Sequence, residues 1–435
     1  MVQEKQKGNG VAILMMILLF GMISFVTNLA APMGNILKPQ FEGDNFLGML
    51  GNAANFIAYA VMGIPSGILL QKYGYKKTAL IAIAIGFIGV GIQLLSGFTA
   101  GKSALVVYLS GAFVSGFSMC LLNCVVNPML NTLGGGGNKG NQLIQIGGSF
   151  NSVMATLTPM LVGVLIGQVT KDTMIKDVFP VMYIAMSIFA IAFIVLAFVA
   201  IPEPHLEKQS EPLGALMSGA LKFRHFVLGS IAIFVYVGVE VGTPGMMNLW
   251  FSDNATGLGS TVGVVTAGFV VGMYWLLMLV GRLIGASIGS IVSSKTMLSV
   301  TSIAGLILVA FAIFSDPVHT VSLPVLKATA GSVSFGLAQV PINALYLVLV
   351  GLCTSIMWGG IYNLAVEGLG KYLAAASGIF MVLVCGGGLI PALQSKIADM
   401  IGYQTSYWVI FAGLAYLAFY ALIGSKNVNK DIKVD

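Results

Sequence analysis

Three asparagines, Asn123, Asn127 and Asn131, stand at an i, i+4, i+8 spacing inside an apolar run long enough to cross a bilayer. On a helix they form one polar stripe. A side-chain amide in lipid has no water to bond, so the stripe must face protein or a wet cavity. Two readings are open: glue between helices, or the lining of a solute path. A second feature is ionic. Of the fifteen Asp and Glu residues, only Glu240 lies within an apolar helical run; the other fourteen fall in loops or at helix ends. A carboxylate at such a position costs on the order of several kcal/mol unless it is paired, wet or protonated. Glu240 is therefore either a site for a coupling cation or a structural acid bonded to a neighbouring helix. Tyr236 one turn before it and Pro244 one turn after would set a hydroxyl and a loosened backbone at its side.

Other polar groups fall into the same kind of place. Asn28 and Asn35 sit two turns apart around Pro32, which frees backbone carbonyls. Lys38 follows near the outer end, either snorkelling to the interface or meeting an anionic solute. Gln142, Gln145, Ser149, Ser152, Thr156 and Pro159 share one helical face, with Asn151 beside it. Amides donate and accept at once, which suits a neutral polyhydroxyl ligand. Trp358, Tyr362 and Asn363 combine an aromatic plane with polar partners, as sugar sites need, although plain packing accounts for Trp358 equally well.

The absences narrow the chemistry. The stretch from Gly134 to Gly140 resembles a phosphate loop, but no G-x4-G-K-[ST] occurs, so ATP hydrolysis has no support. There is no HExxH, CxxC or Ser/His/Asp set, and His205, His225 and His319 fall in loops or at a helix end. Cys120, Cys124, Cys353 and Cys385 lie in apolar segments and read as packing residues rather than metal ligands. An enzyme is not expected, nor any cofactor beyond a coupling cation, H+ or Na+.

The elements that must position these residues follow from composition. The chain has 435 residues, 57% of them hydrophobic and 8% charged, with mean hydropathy +0.95. Soluble domains carry roughly 25% charged residues. This is an all-α membrane protein. The net charge of +6 does not point to nucleic acid, because no basic cluster with interleaved aromatics exists. Hydropathy places twelve helices near 11–36, 46–70, 78–98, 104–131, 141–169, 178–201, 225–251, 261–287, 295–314, 341–366, 374–398 and 405–424. The first is too long for a signal-peptide core and reads as a retained span. The charged stretch 202–224 divides the chain into bundles 1–201 and 225–435. With the N-terminus in the cytoplasm, 15 of the 21 Lys and Arg residues fall inside, Arg282 among them. The positive-inside rule then puts both termini and the linker in the cytoplasm.

The halves echo one another. Asn28-Leu-Ala-Ala-Pro32 matches Glu240-Val-Gly-Thr-Pro244 at an offset of 212. Asn127-Pro-Met-Leu-Asn-Thr-Leu-Gly134 matches Asn363-Leu-Ala-Val-Glu-Gly-Leu-Gly370 at an offset of 236. A long outer loop at 316–340 accounts for the difference. Two homologous six-helix halves with a site at their interface are a known transporter design.

Pro65-Ser-Gly-Ile-Leu-Leu-Gln-Lys-Tyr-Gly-Tyr-Lys-Lys77, echoed by Gly281-Arg282, resembles the loop signature of the major facilitator superfamily. More specifically the chain resembles the fucose/proton symporter family, which includes fucose permease and glucose/galactose transporters. The carriers are Asn35-Ile-Leu-Lys-Pro-Gln-Phe41, Asn127-Pro128, Ser149-Phe-Asn151, Tyr236-Val-Gly-Val-Glu-Val-Gly242, Ala365-Val-Glu-Gly-Leu-Gly-Lys371 and Pro391-Ala-Leu-Gln394. The resemblance implies the twelve-helix major facilitator fold in two pseudo-symmetric bundles, alternating access, and cation-driven import of a monosaccharide. It also implies acids where this chain has Asn35 and Asn123. An amide cannot shuttle a proton, so any proton coupling falls to Glu240.

The expectation is a monomeric importer in a bacterial inner membrane, moving glucose, galactose, fucose or an N-acetyl-hexosamine. Asn28, Asn35, Asn123, Asn127, Gln145, Asn151, Trp358, Tyr362 and Asn363 would contact sugar, and Glu240 would answer the cation. Lys38 keeps an acidic sugar such as a sialic acid open, and an uncoupled uniporter is a further alternative. A passive channel and a membrane sensor are the readings from other classes.

Overall fold

The computed structural model describes residues 2–29, 33, 36, 45–99, 101–166, 174–203, 212–253, 257–262, 264–329, 332–429 and 431–432. Its framework is helical. Helix α1 is Val2–Thr27, and the element Asn45–Leu95 runs as two spans, α2 and α3, on either side of Gly74. Then come α4 (Lys102–Leu133), α5 (Gly137–Ile166) and α6 (Phe179–Phe198). A short linker helix, Leu213–Ala220, leads to α7 (Arg224–Ser252), α8 (Val264–Ile288) and α9 (Ser294–Phe314). Span α10 is broken into Ile342–Thr354 and Met357–Val366, and α11 into Leu373–Leu383 and Gly386–Ile401. Helix α12 is Trp408–Phe419. Among the described residues, 10 helices are long and apolar enough to cross a membrane. One of these is α2 and α3 together. Helix α5, whose amides and hydroxyls lower its hydropathy, makes the twelfth span.

The turn between α2 and α3 depends on Gly74, at φ 79° and ψ 179°, a conformation that a β-carbon forbids. Just beyond it the Glu203 carboxylate accepts from the N–H groups of Tyr75 (2.7 Å) and Lys76 (3.0 Å). That satisfies two donors at the start of α3, which have no partner within the helix. The chain after α6 is thereby tied to the α2–α3 turn.

The most extensive packing between the first six spans and the last six runs along two seams: α2 on α11, and α5 on α8. Under the repeat read from the sequence, α2 corresponds to α8 and α5 to α11, so the seams are pseudo-symmetric counterparts. At the first, backbones touch. A β-carbon on Gly378 would lie 3.0 Å from the Gly63 carbonyl oxygen and 3.1 Å from the α-carbon of Gly67.

The segment expected to be an extra outer loop is instead a β-hairpin, Thr320–Thr329 against Ser332–Pro341, with Val321 opposite Val340 and Leu323 opposite Ala338. Its residues alternate. Leu323, Val325 and Val340 point inward and are buried, while Ser322, Pro324 and Leu337 are exposed. That period of two, with β-branched residues, favours pairing over coil.

Candidate functional site

Span α10 breaks at Ser355 and Ile356, where the helix gives up its regular bonding: Ile356 O keeps a bond from Gly360 N at 3.2 Å, while the Ser355 carbonyl is left to side chains. Inside a membrane such groups must find partners. Two side chains reach the break. Arg282 Nε of α8 donates to Ser355 O at 3.1 Å, and Gln145 Nε2 of α5 donates to Ile356 O at 3.0 Å.

Arg282 is the centre of this site. Its Nη1 donates to Gly148 O (2.8 Å), Ser152 Oγ (2.8 Å) and Asn151 Oδ1 (3.1 Å), all on α5. Its Nη2 pairs with Glu240 Oε1 of α7 at 3.1 Å, the two side chains being 7% and 14% exposed. One guanidinium thus binds α5 from the first half and α7 and α10 from the second. Glu240 is held at its backbone too. Pro244 has no N–H to give the Glu240 carbonyl, and Tyr274 OH of α8 donates there instead at 3.2 Å while also bonding Thr354 Oγ1 at 3.0 Å.

This placement corrects the sequence reading, which counted Arg282 with the cytoplasmic loop charges. Helix α8 continues to Ile288, about two turns past Arg282. The signal was present: no charged residue occurs between Arg282 and Lys295.

The asparagine stripe faces protein, and its members have separate partners. Asn123 Nδ2 bonds Tyr59 OH (2.9 Å) within the first half. Asn127 Oδ1 accepts from Trp358 Nε1 (2.8 Å), and Asn131 Nδ2 donates to Asn363 Oδ1 (3.1 Å), so both cross to α10. Asn363 in turn donates to Ser294 Oγ at 3.0 Å. Of the remaining expected site residues, Asn151 donates to Phe20 O (2.9 Å) while accepting from Arg282. Asn28, just past the end of α1, bonds back to Ser24, and Tyr362 OH shares a hydrogen with Ser377 inside the second half. Asn35 and Lys38 lie outside the described residues.

The structure therefore brings Asn127, Gln145, Asn151, Trp358, Glu240 and Arg282 together between the halves. It leaves Asn28 and Tyr362 bonded elsewhere, and Asn363 closer to the α9 end. Arg282, Gln145, Ser355, Phe20 and Trp358 line a cavity of about 10 Å³. That is room for about one water, whereas ligand pockets run from about 300 Å³ upward. The halves are closed on the site.

With this geometry in place, three comparisons bear on the chain. A sequence profile described as Major Facilitator Superfamily matches residues 12–390. A glucose/galactose transporter of Brucella abortus is 29% identical over 429 residues, covering 98% of this chain and 96% of the relative. An L-fucose-proton symporter of Escherichia coli is 22% identical over 426 residues, covering 92% and 90%. The crystal structure of a variant of the E. coli fucose:proton symporter superposes with TM-score 0.75 at 17% identity, over 97% of this chain and 100% of that one. The last shows a shared fold.

Proposed function

The chain belongs to the Major Facilitator Superfamily, a multi-pass membrane transporter rather than an enzyme, and from that premise we propose that it imports a neutral monosaccharide by cation-coupled alternating access. The observation that carries this reading is the Glu240–Arg282 pair, because Arg282 binds both halves of the molecule at once. The relatives that match along nearly the whole chain are sugar carriers by name, which fits the amide and indole groups around the pair.

The mechanism follows from what these groups can exchange. Bonds between neutral partners such as Asn127 and Trp358 contribute about 1 kcal/mol net. Sugar hydroxyls, which donate and accept, can replace them at little net change. Asn127, Gln145, Asn151 and Trp358 then turn from closing the halves to holding solute, with Asn123 extending the polar wall. A cation arriving at Glu240 competes with Arg282 for the carboxylate. The α7 attachment of Arg282 weakens, and its bonds to α5 are free to rearrange as bundles 1–201 and 225–435 rock about the linker 202–224. On this reading the carrier is a monomer in a bacterial inner membrane, with both termini cytoplasmic. The paired charges at the site sum to zero, which supports a neutral sugar over an acidic one.

Uptake by purified protein in proteoliposomes tests the proposal. Wild type should show saturable accumulation of a hexose driven by an inward proton or sodium gradient. Glu240→Gln should keep sugar exchange at equal concentrations and lose gradient-driven accumulation. Accumulation by Glu240→Gln equal to wild type under every gradient would overturn the coupling role, and accumulation without any gradient dependence would favour a uniporter.

A further inference from the structure

We infer that Glu240 is also the residue that shuts acidic sugars out, because it occupies, as an internal carboxylate, the place on Arg282 that a substrate carboxylate would otherwise take. This deepens the sugar-carrier reading and rests on it. Among the described residues Arg282 is the one Lys or Arg side chain that is buried, 6% exposed, and it lines the central cavity with Gln145 and Trp358. A guanidinium is shaped to meet a carboxylate through parallel N–H groups. Here Nε and Nη1 are spent on Ser355 O, Gly148 O, Asn151 Oδ1 and Ser152 Oγ. The Nη2 edge is the remaining one, and Glu240 Oε1 holds it at 3.1 Å.

Two consequences follow for specificity. While Glu240 is ionised and paired, a second carboxylate entering the site meets an already neutralised arginine and a like charge beside it. Discrimination then comes from repulsion of the wrong ligand as much as from attraction of the right one. Remove the Glu240 charge, and a buried cation is left without its counter-ion, a costly state that an incoming anion relieves. The surrounding groups already suit hydroxyls, with an amide at Gln145, a half-buried indole at Trp358 and an amide at Asn127. A ligand with hydroxyls and one carboxylate, a hexuronate, matches that altered site.

The experiment is a binding panel on purified full-length protein. It uses labelled D-glucose, D-galactose and L-fucose against D-glucuronate and D-galacturonate, for wild type, Glu240→Gln, Glu240→Ala and the double variant Glu240→Gln/Arg282→Gln. Wild type should bind a neutral hexose and ignore uronates. Both single variants should gain uronate binding by at least about tenfold, a shift of about 1.4 kcal/mol, and the double variant should lose it. A folded Glu240 variant that binds neutral hexose and no uronate overturns the inference, as does uronate binding by the double variant. If neither single variant folds, competition on wild type decides. Galacturonate should fail to displace a neutral hexose at about a hundredfold excess, and displacement matching that by the neutral sugar overturns the inference. Failure of wild type to bind any neutral hexose removes the sugar reading instead, and the uronate gain is still decided by the variants.

Discussion

The two seams between the halves occupy equivalent places in the repeat and are built from different chemistry. At the α2–α11 seam Gly63, Gly67 and Gly378 bring backbones together, and contact is steric. At the α5–α8 seam Arg282 reaches across to Gly148, Asn151 and Ser152 with directional, charge-assisted bonds. Van der Waals contact between close backbones is insensitive to solute and cation. A guanidinium shared between a carboxylate and the opposite half is sensitive to both. The molecule has placed a bearing on one side and a sensor on the other.

Three substitutions test that division. The largest effect is expected at the charged seam. Arg282→Ala leaves Glu240 buried without its partner and removes donors from Ser355 O and Gly148 O, a loss of about 3–5 kcal/mol. Thermal unfolding in detergent should fall steeply and proteoliposome uptake should vanish; a protein of near wild-type stability that still transports would show that the network is incidental. A smaller loss, about 1–3 kcal/mol, is expected from Gly378→Val, which forces side-chain atoms against the backbone of Gly63 and Gly67. Here sugar affinity should hold while exchange slows, since the bearing and not the site is spoiled. If affinity and exchange fall together, the seams are not separable. The smallest is Trp358→Phe, which keeps an aromatic ring and deletes the bond to Asn127 Oδ1, about 1 kcal/mol. Double-mutant analysis with Asn127→Ala should return a coupling of that size, and a coupling near zero would mean the halves are not held there.

Much of the architecture was legible in the chain. Spans of apolar residues at membrane length are a one-dimensional property, so hydropathy located the twelve helices and the 6+6 repeat. Glu240 stood out because a lone carboxylate in an apolar run has few physical excuses. Arg282 did not, since an arginine near a helix end ordinarily snorkels to the surface. Only the length of α8 beyond it reveals the depth. The Asn123–Asn127–Asn131 stripe was visible as a period, but its partners Trp358 and Asn363 come from more than two hundred residues away. Periodicity gives a direction and not what stands opposite. The hairpin was missed for a different reason: Pro324 in the first strand and a long stretch between spans both read as loop, and the alternation of Leu323 and Val325 was the weaker signal.

The break in α10 has one more consequence. Ile356 O accepts from Gln145 of the opposite half as well as from Gly360 N, while Ser355 O is satisfied from its own half by Arg282. Parting the halves leaves each carbonyl a donor and takes the acceptor from the Gln145 amide. In hydrocarbon that amide N–H would stay bare, so the halves can separate here only as fast as water arrives to replace the carbonyl. Opening of this carrier is a wetting event, and its rate should respond to the activity of water itself.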